Sequence, residues 1–273
     1  MEDFSGVALH TYTNQPWTLP ECIEAYARRG IGGLSIWRNV LEGEDLCQIP
    51  RQLRDAGLEG ISLVRGGFFT GGTRAARRVG LEDTRQALRE AEMLELPSLV
   101  LVCGATVGQT PQENYRQIAD ALGELADEAE GRGVRLLVEP LHPVYAGDRS
   151  GISSLRVAND LCAELDHENI GIALDVYHVW WELDLRLQIQ RAAEGGWLET
   201  YHICDFKPDQ DDLLTDRGIM GEGCVALKEI DRWMSEAGFE GKREVEIFSK
   251  KWWGRDQEEF LDQILSAYHN IYQ

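Results

Sequence analysis

The chain has 273 residues, 43% hydrophobic and 27% charged, enough for one core to bury roughly three quarters of the unfolded surface. No stretch approaches the ~18 consecutive apolar residues of a membrane span. Its 27 Lys and Arg against 47 Asp and Glu leave a net charge of −20, a field that keeps the surface solvated and repels a phosphate backbone, so disorder, membrane spanning and nucleic-acid binding are excluded as classes.

The N-terminus, Met1-Glu2-Asp3-Phe4, has no basic segment followed by an apolar run, so no secretory leader is expected and the expected location is the cytoplasm. The six cysteines, Cys22, Cys47, Cys103, Cys162, Cys204 and Cys224, form no C-x-x-C pair. Reduced, packed thiols are the expectation rather than a zinc knuckle or a redox motif.

Short apolar runs rich in Val, Ile and Leu alternate with longer runs of helical spacing. In chain order, a strand over Val7 to Thr11 precedes a helix over Pro20 to Arg29, and a strand over Gly33 to Trp37 precedes a helix over Glu44 to Ala56. Gly60 to Val64 is followed by Leu81 to Leu94, Ser98 to Val102 by Pro111 to Glu130, and Arg135 to Glu139 by Ser153 to Leu165. The last three pairs are Gly171 to Asp175 with Asp184 to Ala193, Thr200 to Cys204 with Ala226 to Ala237, and Glu244 to Phe248 with Asp256 to Tyr272. Pro20, Pro111, Ser153 and Ser154 mark helix starts, and Gly57 and Gly238 mark stops. Eight such pairs are the count of a (β/α)₈ barrel, here a single TIM-barrel domain over residues 1–273. A doubly wound sheet would need a glycine fingerprint after its first strand, and Val7-Ala8-Leu9-His10-Thr11-Tyr12 is followed by none.

In such a barrel the reacting groups stand at the C-terminal ends of the strands. Four apolar runs end in polar residues: Leu136-Leu137-Val138-Glu139, Ile172-Ala173-Leu174-Asp175, Tyr201-His202-Ile203-Cys204-Asp205 and Val245-Glu246-Ile247-Phe248. A carboxylate on a buried strand is costly unless it is paired or coordinated. Two answers are open. In one, each carboxylate pairs a barrel arginine and His202 is a hydrogen-bonded core histidine. In the other, Glu139, Asp175, His202 and Glu246 converge on one divalent cation, offering three oxygens and a nitrogen, a set suited to Mn²⁺, Mg²⁺ or Co²⁺ and acceptable to Zn²⁺. Their placement on four consecutive strands favours the cation. Three carboxylates around a divalent ion keep one residual negative charge, which suits proton abstraction.

Further candidates for the pocket are His10, which ends the first strand, Arg65, which ends the third, and Trp37, which follows the second. The pairs Trp180-Trp181 and Trp252-Trp253 follow strands six and eight. Aromatic faces stack on the C–H surfaces of sugars, so one member of each pair, Trp181 in the first, is expected in the pocket. Core packing or a subunit contact in a homo-oligomer is the competing role. His142 reads as a loop residue.

The segments Val138-Glu139-Pro140-Leu141-His142-Pro143, Ala173-Leu174-Asp175-Val176-Tyr177-His178, Tyr201-His202-Ile203-Cys204-Asp205, Asp216-Arg217-Gly218-Ile219-Met220-Gly221-Glu222-Gly223 and Glu244-Val245-Glu246 together resemble the sugar phosphate isomerase/epimerase family. That family has the xylose-isomerase-like barrel and includes ketose 3-epimerases, hydroxypyruvate isomerase and inosose dehydratase; the resemblance covers nearly the whole chain. It implies that Glu139, Asp175, His202 and Glu246 hold one divalent metal, that Glu139 and Glu246 double as the acid/base pair, and that His178 and Arg217 contact substrate oxygens.

The implied chemistry is proton abstraction from an α-hydroxy ketone through a cis-enediolate. Return of the proton to the same carbon from the other side epimerises it, return to the neighbouring carbon isomerises the sugar, and loss of a β-hydroxyl dehydrates it. The expected function is a metal-dependent isomerase or epimerase of a keto-sugar. A dehydratase of a keto-polyol, inosose- or dehydroshikimate-like, is the alternative, and a non-catalytic sugar-binding barrel stands behind both. The acidic surplus, with only Lys250, Lys251 and Arg217 as a basic cluster near the last loops, favours an uncharged sugar over a sugar phosphate. The barrel also resembles that of metal-dependent apurinic endonucleases, but their three-metal site takes more histidines than the six present here, and the charge is wrong for DNA.

Overall fold

The structure, a computed structural model, describes residues 3–273; Met1 and Glu2, on which part of the leader expectation falls, lie outside them. Eight strands form: β1 (Val7–His10), β2 (Gly33–Trp37), β3 (Glu59–Gly67), β4 (Ser98–Val102), β5 (Arg135–Val138), β6 (Ile170–Asp175), β7 (Leu198–Ile203) and β8 (Arg243–Val245). Between and after them run α1 (Leu19–Arg28), α2 (Ile49–Ala56), α3 (Arg74–Met93), α4 (Pro111–Gly131), α5 (Leu155–Leu165), α6 (Val176–Val179), α7 (Leu185–Glu194), α8 (Leu227–Glu236), α9 (Lys250–Trp253) and α10 (Gln257–Tyr272). The strands pair in parallel in chain order, and β1 closes on β8 through Val7–Arg243, Ala8–Glu244 and Leu9–Val245. This is the expected (β/α)₈ barrel.

Side-chain chemistry sets the helix starts. The Glu113 carboxylate accepts from the Thr110 N–H at 2.7 Å while the Thr110 hydroxyl accepts from the Glu113 N–H at 3.2 Å, a reciprocal box that opens α4 ahead of Pro111. The Ser154 hydroxyl accepts from the Val157 N–H at 3.2 Å to open α5. Gly57, at φ +70°, ends α2 in the left-handed region.

Two helices depart from expectation, each for a local reason. The second starts at Ile49 rather than Glu44 because Pro50 has no N–H and fits only a first turn. The third starts at Arg74 rather than Leu81. It runs through Gly80, where a Cβ would stand 2.2 Å from the Phe68 carbonyl oxygen, so glycine lets the helix close onto the loop after β3. Of the cysteines, Cys22, Cys103, Cys162 and Cys204 are buried, whereas Cys47 and Cys224 are exposed. Among the described residues no helix is long and apolar enough to cross a membrane.

The two faces of each strand divide the core. Leu9, Leu34, Ile36, Leu63, Leu101, Val138, Ile172 and Val245 turn outward into one large cluster with the helices. Val64, Val100, Leu137 and Ala173 form a small separate cluster inside the barrel, with Trp37 packed on it. The rest of the interior is polar: His10, Ser35, Ser62, His202 and Glu244 are all buried. Side chains alternate along a strand, so the residues two places beyond inward Leu137, Ala173 and Glu244 also turn inward at the C-terminal mouth; these are Glu139, Asp175 and Glu246.

On the helical layer, Glu182 precedes α7 and accepts the Leu155 N–H at 2.6 Å, satisfying an open donor of α5. Burial pushes its carboxyl up from the ordinary 4.5 to about 7, with Asp184 adding to the shift against the Leu155 and Arg156 N–H groups. The folded state therefore holds this proton more tightly than the unfolded chain. The group's contribution to stability falls as pH rises from 4.5 to about 7 and is constant above that. Glu182→Gln, which can still accept the N–H bond, is expected to gain roughly 1–3 kcal/mol on the wild type between pH ~4.5 and pH ~8 in urea unfolding; a pH-independent difference between the two proteins contradicts this assignment.

Candidate active site

Ligand atoms of Glu139, Asp175, His202 and Glu246 all lie within 4.8 Å of one another, and all four residues are buried. The arginine reading of the carboxylates accounts for half of this cluster. Nη1 of Arg217 stands 2.9 Å from Asp175 Oδ2 and 2.8 Å from Glu246 Oε2, and its guanidinium lies 4.4 Å from the ring centres of both Tyr177 and Phe248. Two antiparallel bridges, Asp205 with Gly218 and Asp216 with Ser249, fix the segment that carries Arg217.

The other half is left without hydrogen bonds. Glu139 Oε1 and His202 Nδ1 are buried with no hydrogen bond, although they face each other at 3.3 Å. The second ring nitrogen of His202 is held at 3.2 Å by the Thr200 hydroxyl. Unpaired buried polar atoms are costly, and an oxygen and a nitrogen left open toward one point beside two further carboxylates fit a cation. A divalent ion takes such a mixed set, so the residues present suit the metal that the sequence implies.

Beneath the cluster, Nδ1 of His10 lies 3.0 Å from Glu246 Oε1, and its Nε2 lies 3.4 Å from Glu244 Oε2. Ser35 donates a short hydrogen bond to Glu244 and receives one from Ser62 at 3.0 Å. Burial acts against charge on His10, but the two glutamates outweigh it and push the imidazolium up to about 10. The indole N–H of Trp37 also reaches His10 Nδ1, at 3.1 Å. That nitrogen donates to Glu246 when protonated and accepts from Trp37 when not.

The same balance sets the carboxylates. Burial acts against ionisation of Glu246, yet His10 and Arg217 hold it well below the usual range. Burial pushes Asp175 up to about 7 against the pull of Arg217, with Glu246 and Glu139 adding to the rise. His178 is held well below the ordinary imidazole range by burial and by Arg217. An arginine can only donate, so His178 Nε2, 3.4 Å from Arg217 Nη2, accepts. The hydrogen is therefore on Nδ1, which is buried without a partner.

Part of this cluster opens onto a cavity of about 220 Å³, below the ~300 Å³ lower end of ordinary ligand pockets, with Asp175 and His202 fully buried behind its wall. Of the residues picked from the sequence, Glu139, Glu246, His178, Arg217, Arg65 and Trp37 line it. His10 is fully buried below the cavity and touches Glu246 instead. Trp181 lies outside the cavity wall, its indole N–H donated to the His178 carbonyl at 2.8 Å and its ring against His142 on the rim. Neither of the last tryptophan pair lines the cavity; Trp252 stacks on Phe260, and Trp253 donates to the Thr13 carbonyl. Asp205, next to Cys204, instead accepts the N–H groups of Gly221 and Val225 and so shapes the loop behind Arg217.

The aromatic wall comes from Tyr12, Tyr145 and Phe248, with Leu141 beside them. Three of these were readable: Tyr12, Leu141 and Phe248 stand two places beyond His10, Glu139 and Glu246, on the same inward alternation. Arg149, ten residues past Glu139 in the loop after β5, carries no such signal.

With fold and site in view, the comparison with known proteins is direct. A family model described as a xylose isomerase-like TIM barrel matches residues 22–265. The chain belongs to the xylose isomerase-like TIM barrel family. The crystal structure of protein SMc04130 from Sinorhizobium meliloti 1021 superposes with a TM-score of 0.93 at 36% identity, covering 97% of this chain and 98% of that one. The IOLI protein, crystallised with a zinc atom, superposes with a TM-score of 0.84 at 19% identity over 97% of each chain. The 3-dehydroshikimate dehydratase of Pseudomonas aeruginosa is 34% identical over 166 residues, 59% of this chain and 25% of that protein. Inosose isomerase of Halalkalibacterium halodurans is 22% identical over 198 residues, 71% of this chain and 68% of that protein. The chain thus spans about a quarter of the dehydratase's length. Its named relatives in the family are enzymes.

Arg217 is the cation that bridges Asp175 and Glu246, so removing it leaves the two buried carboxylates without the guanidinium between them. Arg217→Met is expected to lower stability by roughly 3–5 kcal/mol in urea unfolding with EDTA present. An unchanged midpoint contradicts this electrostatic account.

Proposed function

We propose that the chain is a metal-dependent enzyme that moves a proton on an α-hydroxy ketone, an isomerase or epimerase of a keto-sugar, with Glu139 and Glu246 as its acid/base pair. The observation that carries this reading is the pair of buried atoms without hydrogen bonds, Glu139 Oε1 and His202 Nδ1, 3.3 Å apart beside Asp175 and Glu246. Glu139, Asp175, His202 and Glu246 would hold one divalent cation, with Mn²⁺, Mg²⁺ or Co²⁺ suited and Zn²⁺ acceptable. A divalent ion held there would supply Lewis-acid polarisation of the ketone, which makes the C–H on the neighbouring hydroxyl-bearing carbon more acidic.

The chain's own groups do the rest. Glu139 and Glu246 come from strands three places apart around the barrel, so they approach a bound ketone from different walls. One takes the proton and the other returns it, passing the substrate through a cis-enediolate. Arg217 and the free Nδ1–H of His178 bind substrate oxygens. Tyr12, Trp37 and Phe248 cover the apolar edge of the sugar and exclude water. His10 acts from below by holding Glu246 rather than by touching substrate.

A second reading, dehydration of a keto-polyol, is favoured by the 34% identity to the dehydratase over 166 residues. It shares the first proton transfer and differs in losing a β-hydroxyl. Incubation of the Mn²⁺-loaded protein in D₂O with ketoses, keto-polyols and hydroxypyruvate, read by mass and NMR, separates the two. Deuterium uptake with the carbon skeleton and oxygens retained supports the isomerase or epimerase, whereas loss of water supports the dehydratase. Glu246→Gln is expected to slow exchange by about 10²- to 10⁴-fold. Exchange that survives this substitution at full rate contradicts the assigned role of Glu246.

A further inference from the structure

Most arginines of this acidic chain stand within 4 Å of a carboxylate, among them Arg28, Arg38, Arg85, Arg132, Arg135 and Arg243. Three arginines line the cavity: Arg217, Arg65 and Arg149. Arg217 is neutralised by Asp175 and Glu246. Arg65 and Arg149 have no carboxylate within 4 Å among the described residues and no side-chain hydrogen bond, and both are half-buried. Their only close side-chain neighbours of note are aromatic. The Arg65 guanidinium lies 4.4 Å from the centre of the Phe68 ring, and that of Arg149 lies 5.8 Å from the centre of Tyr145. Stacking uses the face of a guanidinium and leaves its in-plane N–H donors open.

Leaving two such charges on the lining of one cavity is unfavourable, and the effect is visible on one of them. Burial and then the charge of Arg149 pull Arg65 below its ordinary range. In the cluster beneath the cavity the charges offset one another, because Glu139, Asp175, Glu244 and Glu246 face Arg217, the His10 imidazolium and, when loaded, one divalent ion. The arginine pair is the part left over. Lys250 and Lys251, the basic residues the sequence puts near the last loops, are exposed and outside the cavity wall.

We propose that Arg65 and Arg149 bind an oxyanion, a carboxylate or a phosphate, carried by the substrate whose ketone end reaches Glu139 and Glu246. This rests on the proposed proton-transfer reading and narrows its substrate class. It also replaces the uncharged sugar suggested by the net charge, since the field that a ligand meets inside the cavity is set by the nearest groups and not by the total of −20. One cavity of about 220 Å³ is lined by both arginines and both glutamates, so a single small molecule spans them. Planar guanidinium forks match either anion bidentately.

The test is isothermal titration with glycerol, D-glycerate and glycerol 3-phosphate, on protein loaded with Mn²⁺ and on protein in EDTA. At least one of the two anions is expected to bind roughly tenfold or more tightly than glycerol, and the tighter anion identifies the group as carboxylate or phosphate. Arg65→Gln and Arg149→Gln are each expected to remove most of that advantage, while Lys250→Gln leaves it intact. Equal binding of all three probes, or anion binding that survives both arginine substitutions, overturns the proposal. The readout does not need turnover. Anion binding without any ketone exchange in D₂O contradicts only the proton-transfer reading, whereas ketone exchange by a protein that binds all three probes equally contradicts only the anion site.

Discussion

Negative charge inside the barrel is the constraint on which the rest of the structure depends. Glu139, Asp175, Glu244 and Glu246 are all buried, and ionised carboxylates out of water are tolerated only with compensating partners. The chain supplies them in layers. Arg217 spans Asp175 and Glu246 from above, and His10 links Glu246 to Glu244 from within. Ser35 and Ser62 complete the lowest layer. At the mouth, Glu139 Oε1 and His202 Nδ1 face each other at 3.3 Å without a hydrogen bond. An enzyme that binds a cation needs such an incompletely satisfied point, because a fully hydrogen-bonded network would have to be broken before the ion could enter.

The fold was legible because two periods are written in the chain. Alternation between apolar strands and amphipathic helices placed every strand of the barrel to within a few residues, and the period of two carried the inward side chains to the mouth. Errors fell where a local constraint competes with the pattern. Pro50 moves one helix start and Gly80 lets another helix run on, and neither effect is visible to periodicity alone. Within the site, Glu139, Asp175, His202 and Glu246 could be picked out because a charged or polar side chain ending a buried strand needs a reason. The wall was harder to read. Trp181 and Trp253 follow strands yet turn onto the rim and onto the loop after β1, while Tyr12 and Phe248, on the inward alternation, line the cavity. Arg149 was not legible, because loops have no period and its position depends on how the segment after β5 folds back.

Net charge and local charge also part company here. A total of −20 describes the outer surface and its solubility, and it led to the expectation of an uncharged ligand. The cavity is organised differently, with carboxylates deep and arginines farther out. A ligand with a ketone end and an anionic tail would meet, at one end, the cation that the carboxylates would hold and, at the other, the two arginines. The same barrel mouth can thus hold the reacting carbon by one set of residues and select the molecule by another, which is how relatives with one fold can differ in substrate.

The central claim is that four strand-end residues form one cation site. The most direct measurement is an anomalous-difference map from a crystal of the protein grown with Mn²⁺. The account predicts one strong peak bonded to Glu139, Asp175, His202 Nδ1 and Glu246 at about 2.0–2.3 Å. Among the described residues two other groups are close enough to hold an ion, the buried His10, His202 and Glu244 and the outer Asp127, Glu130 and His167. A peak at either of these with none among the four, or no protein-bound peak at all, would contradict the account.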